Sequence, residues 1–195
     1  MKTQYYTATS INGYIADENH ALDWLSQFGE IDSMDDFFNN IGAAAMGSTT
    51  YKWLLEQDTK QESTRIWPYE IPIWVFSSRN LPAMANADIR FANGDVAAYH
   101  SEIMKVAAGK NIWLIGGGEL VGQFHDQGLV DEVILSVAPV MLESGAQLLP
   151  RKIASPPLRL IDVQKHGDVF AVLTYKVQKE AKVKLKKDIS NALRG

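Results

Sequence analysis

Short apolar runs alternate with amphipathic stretches along the whole chain. The apolar runs are rich in β-branched and aromatic residues and are bounded by turn residues, a pattern typical of strands. It predicts strands at residues 3–9, 43–46, 71–76, 89–92, 111–115, 132–140, 158–165 and 169–177. Apolar residues at helical spacing predict helices at 32–39, 49–56, 96–107 and 119–126, and Asp95 is expected to cap the third of these.

This order of elements indicates the fold class. Strands that alternate with helices favour an α/β fold with a central mixed sheet, mostly parallel and flanked by helices. His166, Gly167 and Asp168 supply turn chemistry between the last two strands, so we expect a C-terminal antiparallel hairpin. A chain of 195 residues without a Pro/Gly/Ser-rich linker suits a single domain.

Charge is distributed unevenly along this chain. The formal net charge is −4, yet residues 176–195 contain seven basic and two acidic side chains. We therefore expect an acidic domain at residues 1–177 and a basic, helical tail at 178–195. An acidic body argues against nucleic-acid binding, and the tail is expected to dock on its own body or on a partner subunit.

Several kinds of site are excluded by what the sequence lacks. Without cysteine there can be no disulfide and no thiolate chemistry. The four histidines are scattered, with no pair at helical metal-ligand spacing, so no metal site is expected. No apolar run approaches the roughly 20 residues that span a bilayer, and the N-terminus lacks a signal-peptide pattern. We expect a cytoplasmic protein that does not bind membranes.

A glycine-rich turn carries the clearest chemical signal. The predicted strand at 111–115 runs into Gly116, Gly117 and Gly118 and then directly into a helix. Glycines let a phosphate approach the backbone, and a helix N-terminus offers unpaired N–H groups to an anion. The spacing of Gly116, Gly118 and Gly122 is one residue too long for the Rossmann fingerprint, and a plain strand-to-helix turn is the alternative.

A second predicted strand ends in a similar way. Residues 46–51 read Met-Gly-Ser-Thr-Thr-Tyr, so a small-residue strand meets Gly47 and then three hydroxyl side chains. Ser48 or Thr49 is suited to cap the following helix, and the same geometry suits a phosphate. A helix cap without a ligand is the simpler interpretation of this segment taken alone.

The strand at 71–76 is followed by Ser77, Ser78 and Arg79. Two hydroxyls and a guanidinium suit a phosphate monoester, although a solvated loop is the alternative. The three segments support one another, because ligands of α/β sheets gather at the carboxyl ends of the strands. The long polar loop after the first strand adds Asn12, Tyr14 and Trp24, which are suited to contact a planar heterocycle.

Taken together and in this order, these segments resemble the dihydrofolate reductase-like superfamily. Within it the chain is most similar to the branch related to the C-terminal reductase domain of the bifunctional riboflavin-biosynthesis protein. The resemblance covers residues 3–177 and is carried by Ser-Ile-Asn-Gly-Tyr-Ile-Ala at 10–16, Met-Gly-Ser-Thr-Thr-Tyr at 46–51, Phe-Ser-Ser-Arg at 76–79 and Ile-Gly-Gly-Gly at 115–118.

The resemblance implies an NADPH-dependent reductase, with NADH left open, that transfers hydride to a small planar heterocycle. The activity most like it is that of 5-amino-6-(5-phosphoribosylamino)uracil reductase. Implied cofactor residues are Ala8, Ile15, Gly47, Ser48, Thr49, Thr50, Ser77, Ser78, Arg79, Gly116, Gly117, Gly118, Glu119, Leu120 and Val121. Asn12, Tyr14 and Trp24 would contact the substrate, and Asp32 or Asp35 would supply a proton. Related domains commonly dimerise, so a homodimer is expected.

Two positions depart from the family pattern. Ser48 stands where an arginine is usual, which removes a cation expected near the 2′-phosphate of NADPH, and Arg79 is expected to compensate. Asn12 stands where an aspartate is usual, so an amide replaces a carboxylate that only accepts hydrogen bonds. Two alternatives therefore stay open, a nucleotide-binding module without catalysis and a pterin reductase of the dihydrofolate reductase type.

Overall fold

The computed structural model describes residues 1–29, 35–60, 69–84 and 87–179. Their elements alternate as the sequence predicts. In chain order they are β1 (Thr3–Ser10), β2 (Tyr14–Ala16), α1 (Asp23–Ser26), α2 (Asp35–Asn39), β3 (Ile41–Gly47), α3 (Ser48–Lys60), β4 (Ile73–Phe76), β5 (Ile89–Ala92), α4 (Val96–Val106), β6 (Asn111–Gly116), α5 (Gly118–Asp126), β7 (Glu132–Ala138), β8 (Ala146–Gln147), β9 (Arg159–His166) and β10 (Phe170–Lys176).

All eight predicted strands and all four predicted helices are present within the described residues, with ends that differ by a few residues. The predicted helix at 32–39 is described only from Asp35 onward, and the predicted helical tail lies outside the described residues from 180. The sequence pattern missed three short elements, β2, β8 and α1. Asp95 caps α4 as expected, because its Oδ1 accepts a hydrogen bond of 3.0 Å from the Ala97 N–H.

Eight strands form one mixed sheet in the order β5-β4-β3-β6-β1-β7-β10-β9. Every neighbouring pair from β5 to β7 is parallel, and β10 adds antiparallel pairs with β7 and β9. The prediction of a mostly parallel sheet that ends in an antiparallel hairpin is confirmed. β2 and β8 pair separately, on top of the loops that leave β1 and β7.

Alternate residues of the central strands supply two cores, one on each face of the sheet. In β3, Ala43 and Ala45 face the core that also contains Phe124 of α5, whereas Ala44 and Met46 face the core that contains Tyr51 of α3. The small alanines let helices lie close to this part of the sheet, and a Cβ at Gly42 would collide with the backbone of Ala107. The start of β3 is therefore packed tightly against the C-terminus of α4.

The hairpin at the opposite end of the sheet is covered much less. β9 is an edge strand, and seven of its eight residues are exposed. Leu160, Ile161 and Val163 are among the largest exposed apolar side chains of the described residues. None of the helices in the described ranges has the length and apolar character required to cross a bilayer.

Candidate functional site

A cleft of about 690 Å³ opens above the carboxyl ends of β3 and β6. It is built from the ends of the central strands, the first turns of α3 and α5, and the loops that carry β2 and β8. Its lining residues are Tyr6, Thr7, Ala8, Ile15, Ala16, His20, Leu22, Leu25, Thr49, Thr50, Trp53, Leu54, Tyr69, Trp113, Ile115, Gly116, Gly117, Gly118, Glu119, Ala146, Gln147 and Pro150.

The glycine turn forms the floor of this cleft. Gly116 has φ of +132°, a conformation that favours glycine, and Gly117 is the N-cap of α5. No side chain caps α5 at Gly117, so the first N–H groups of the helix are presented to the cleft. A Cβ on Gly47 would lie only 3.7 Å from the Gly117 nitrogen, which shows how closely the ends of β3 and β6 approach each other. This is the backbone cradle that a phosphate requires.

A second, smaller cleft of about 360 Å³ lies beside the first. Its lining is mostly backbone, hydroxyl and amide groups, from Gly47, Ser48, Thr49, Phe76, Ser77, Ser78, Asn93, Gly94, Gly117, Glu119, Leu120 and Gln123. Three residues, Thr49, Gly117 and Glu119, line both clefts. The two clefts therefore meet at the N-terminus of α5 and form one extended groove.

Most of the cofactor residues implied by the sequence lie along this groove. Ala8, Ile15, Thr50, Gly116 and Gly118 line the main cleft, and Gly47, Ser48, Ser77, Ser78 and Leu120 line the second. Two residues are placed elsewhere. Val121 is fully buried in the core, and Arg79 is an exposed residue outside both linings.

The three implied substrate residues lie outside the cleft. Asn12 ties the loop after β1 to the loop after β7, because its Nδ2 donates to the Leu142 carbonyl at 2.6 Å and its Oδ1 accepts from the Leu142 N–H at 3.1 Å. Tyr14 pairs with Gln147 in the small sheet, and neither Tyr14 nor Trp24 lines the cleft. In β2 the cleft is lined by Ile15 and Ala16 and not by Tyr14.

Three other loop residues line the cleft instead, His20, Leu22 and Leu25. The carboxylate of Asp17 fixes the start of this segment by accepting hydrogen bonds of 2.8 Å from the N–H groups of Asn19 and Ala21. Such a turn around an aspartate is a recognisable local pattern, so Asp17 is the signal in the sequence that the loop is structured. The identity of the residues that it turns inward depends on tertiary contacts.

One wall of the main cleft is aromatic. Tyr6, Trp53, Tyr69 and Trp113 all line it, and the rings of Tyr69 and Trp113 lie 5.4 Å apart. Trp113 is fixed by a hydrogen bond of 3.1 Å from its indole N–H to the Tyr6 carbonyl, and Phe37 of α2 packs behind Tyr6 at 5.0 Å. A pocket of rigid aromatic side chains suits a flat ring.

Few titratable groups face the groove. Burial raises the pKa of Tyr6, so the phenol stays protonated near neutral pH. Glu119 is the one carboxylate among the described residues that line either cleft. Of the two aspartates expected to supply a proton, Asp32 lies outside the described residues, and Asp35 is exposed and outside the lining. The role of these aspartates stays a prediction.

Glu119 is held by an arginine that sequence reasoning missed. Both carboxylate oxygens of Glu119 accept hydrogen bonds of 2.9 Å from Arg151, whose Nε also donates to Asp126 at 2.8 Å. The hydrogen bonds from Arg151 lower the pKa of Glu119, so its carboxylate is ionised. Arg151 follows Pro150 in the segment between β8 and β9, and no pattern in the sequence indicates that it reaches α5.

The described residues contain no cluster of histidine and carboxylate side chains that could hold a metal ion. The groove itself offers backbone N–H groups at the start of α5, hydroxyl and amide side chains, and an aromatic wall.

Comparison with known proteins places this geometry in a family. Residues 54–172 match the RibD C-terminal domain. The chain belongs to the RibD C-terminal domain family. The match begins inside α3 and includes the segment at Ser77 and the glycine turn. The resemblance inferred from the sequence motifs is therefore confirmed.

Relatives of this RibD C-terminal domain extend over most of the chain. The uncharacterized protein YwjB of Bacillus subtilis (strain 168) is 31% identical over 168 residues, which are 85% of this chain and 92% of YwjB. A crystal structure of a proposed riboflavin biosynthesis protein from Shewanella sp. PV-4 has a TM-score of 0.77 at 24% identity and covers 92% of this chain and 100% of its own.

The dihydrofolate reductase-like fold is confirmed by a third comparison. Dihydrofolate reductase from Enterococcus faecalis, solved as a complex with NADP(H) and RAB-propyl, has a TM-score of 0.60 at 12% identity. The match covers 91% of this chain and 97% of the reductase. At this identity the similarity shows the fold alone.

Proposed function

We propose that this protein is a reductase that uses a nicotinamide dinucleotide to reduce a small planar nitrogen heterocycle. The observation that carries the proposal is the groove itself: two clefts of different chemistry meet at the uncapped N-terminus of α5. Membership of the RibD C-terminal domain family and the fold shared with an NADP(H)-bound dihydrofolate reductase support a reductase.

The residues of the groove fit the parts of a dinucleotide. The N–H groups at the start of α5 and the closely approaching backbone at Gly47 and Gly117 suit a pyrophosphate. The hydroxyl and amide groups of the second cleft suit a ribose, and the main cleft at Ala8 and Ile15 suits the nicotinamide. When bound, the cofactor supplies a hydride, and the protein orients it and excludes water.

The aromatic wall of the main cleft determines which kind of substrate can bind there. Tyr6, Trp53, Tyr69 and Trp113 form a largely apolar surface on which a flat heterocycle can stack beside the cofactor position. The substrate class most like this is the ribosylamino-pyrimidine that the family resemblance implies. Exclusion of water by Leu22 and Leu25 would keep the reacting ring dry.

Dinucleotide binding and turnover can be measured separately. Binding is titrated through quenching of tryptophan fluorescence, and turnover is followed as NADH or NADPH oxidation with a panel of pyrimidines and pterins. Thr49, which lines both clefts, is replaced in the variant Thr49→Trp, which should weaken dinucleotide binding at least tenfold by filling the junction. The matched control is Ser101→Trp, at an exposed position of α4 away from both clefts.

Each outcome has a defined meaning. Binding that is lost in Thr49→Trp and retained in Ser101→Trp, together with oxidation on one member of the panel, supports the proposal. Absence of dinucleotide binding contradicts it outright. Tight binding without turnover on any substrate would instead support a nucleotide-binding module without catalysis.

The homodimer expected from the family is also proposed, through the edge strand β9. An edge strand presents unpaired backbone N–H and C=O groups, and Ile161 and Val163 add apolar side chains on one face. A second copy of the same strand is complementary to such an edge. Sedimentation velocity should show a dimer that Val163→Lys dissociates and Ser101→Lys does not; a monomeric wild-type protein would contradict it.

A further inference from the structure

The second cleft has no positively charged side chain in its described lining. Under the proposed function, this cleft would hold the adenosine end of a dinucleotide. Among the described residues that line it, no lysine or arginine is present, and the single charged side chain is Glu119. Its other polar side chains, Ser48, Thr49, Ser77, Ser78, Asn93 and Gln123, are neutral. A phosphate monoester carries nearly two negative charges at neutral pH, so a cleft of this kind is poorly suited to bind one.

The arginine closest to Glu119 does not change this balance. Arg151 is engaged by two carboxylates, Glu119 and Asp126, so the three side chains together carry a net charge of −1. Its guanidinium lies over Gly122, where a Cβ would come within 2.6 Å of it, and Arg151 is not part of the lining of the second cleft. The negative charge of Glu119 is therefore reduced at the rim of the cleft and not reversed.

Arg79 does not supply the missing cation in this structure either. Its backbone is tied to the Ser77 hydroxyl, which accepts a hydrogen bond of 2.9 Å from the Arg79 N–H and donates one of 3.0 Å to the Arg79 carbonyl. The residue is exposed and lies outside the lining, although Ser77 and Ser78 before it belong to the lining. The turn thus brings hydroxyl groups into the cleft and leaves the guanidinium in solvent.

We propose that the second cleft binds the unphosphorylated adenosine ribose of NADH in preference to the 2′-phosphorylated ribose of NADPH. This inference rests on the proposed function and determines which cofactor that function uses. A carboxylate accepts hydrogen bonds from ribose hydroxyls and repels a phosphate, whereas arginine is the usual partner of the 2′-phosphate. Ser48, at the start of α3, occupies the position where the family resemblance places that arginine.

The test is a pair of dissociation constants, measured for NADH and NADPH on the same protein by fluorescence titration. We expect NADH to bind about fivefold more tightly than NADPH, since the group of Glu119, Arg151 and Asp126 has a net negative charge that repels a dianion in the solvent-exposed cleft. Because this readout is binding, it is independent of the substrate and of turnover.

Three variants test which residues determine the preference for NADH over NADPH. Ser48→Arg should tighten NADPH binding about tenfold and leave NADH within about twofold, with a stronger salt dependence for NADPH. Ser101→Arg adds the same charge on α4 away from the cleft and should change neither constant. Arg79→Ala should leave the ratio of the two constants within about twofold, because the Arg79 side chain is expected to stay in solvent.

The outcomes separate this inference from the proposed function. If neither dinucleotide binds, the proposed function fails, and the inference fails with it. If both bind and NADPH binds tenfold more tightly than NADH, the proposed function stands and the inference is overturned. Loss of NADPH binding in Arg79→Ala would also overturn it, because the guanidinium would then reach the 2′-phosphate.

Discussion

Gly118, the first residue of α5, is a position in the groove where one added methyl group should be costly. A Cβ there would lie 2.5 Å from the Gln147 carbonyl oxygen and 2.6 Å from that of Leu148. Both are backbone atoms, so the segment after β8 must retreat by roughly 0.8–0.9 Å to reach the 3.4 Å at which ordinary contact begins.

That segment cannot retreat freely, because Leu148 is held from two sides. Its carbonyl accepts a hydrogen bond of 3.0 Å from the buried Tyr5 hydroxyl, and its N–H donates to the Gly13 carbonyl at 2.9 Å. Overpacking of this kind costs about 1–3 kcal/mol, and weakening one hydrogen bond costs about 1 kcal/mol. The helix preference of alanine returns up to about 1 kcal/mol. We therefore expect Gly118→Ala to lower the free energy of unfolding by about 2 kcal/mol.

Gly122→Ala on the same helix is the matched control. Its Cβ would meet only the guanidinium of Arg151, at 2.6 Å from Cζ, and this flexible end can move aside. Alanine in the middle of the helix gains about 1 kcal/mol, which offsets the loss of the Arg151 contacts, so the net change should stay within about 1 kcal/mol. Urea unfolding followed by tryptophan fluorescence measures both values. Equal stabilities for Gly118→Ala and the wild-type protein, or equal losses in the two variants, would refute this reasoning.

Three further substitutions test separate contacts. Asp95→Ala removes the cap of the Ala97 N–H and should destabilise α4 by about 1 kcal/mol in thermal unfolding, whereas Asp95→Ser should restore most of the loss. Asn12→Asp keeps an acceptor for the Leu142 N–H and loses the donor to the Leu142 carbonyl, so it should cost about 1 kcal/mol; an unchanged melting temperature would contradict the bridging role of Asn12. Burial lowers the pKa of His100 below its usual 6.5, so the unfolded chain binds more protons between these two pKa values and stability should rise with pH across that interval. A pH series of urea midpoints should show this rise in the wild-type protein and a smaller one in His100→Gln.

The sequence was a good guide to the main sheet because its strands are buried on both faces. Runs such as Ala-Ala-Ala-Met in β3 and Ile-Trp-Leu-Ile in β6 have no polar position that would suit a surface helix, and the glycines after them mark where each strand ends. β2 and β8 have only three and two residues, too few for a pattern to be recognised, and they exist because two loops lie against each other.

The candidate site divides in the same way between predictable and unpredictable parts. The positions of Gly47 and Gly117 could be predicted, because a glycine that follows an apolar strand indicates a turn at the end of that strand. Tyr14 and Ile15 were both expected at the site, yet the lining includes Ile15 and excludes Tyr14, which pairs with Gln147 in the small sheet. Arg151 and His20 reach the site only through tertiary contacts, which no local spacing reveals.

The position of β1 has a consequence for how the chain is made. β1 leaves the ribosome before both strands that flank it in the sheet, because β6 and β7 begin only at Asn111 and Glu132. During synthesis β1, which contains the buried Tyr5, therefore has no neighbouring strand to form backbone hydrogen bonds with until β6 has emerged. Pairing over such long separations is slow and leaves strand edges open to other chains. Translation speed and chaperone supply, rather than the stability of the finished sheet, should then set the yield of folded protein.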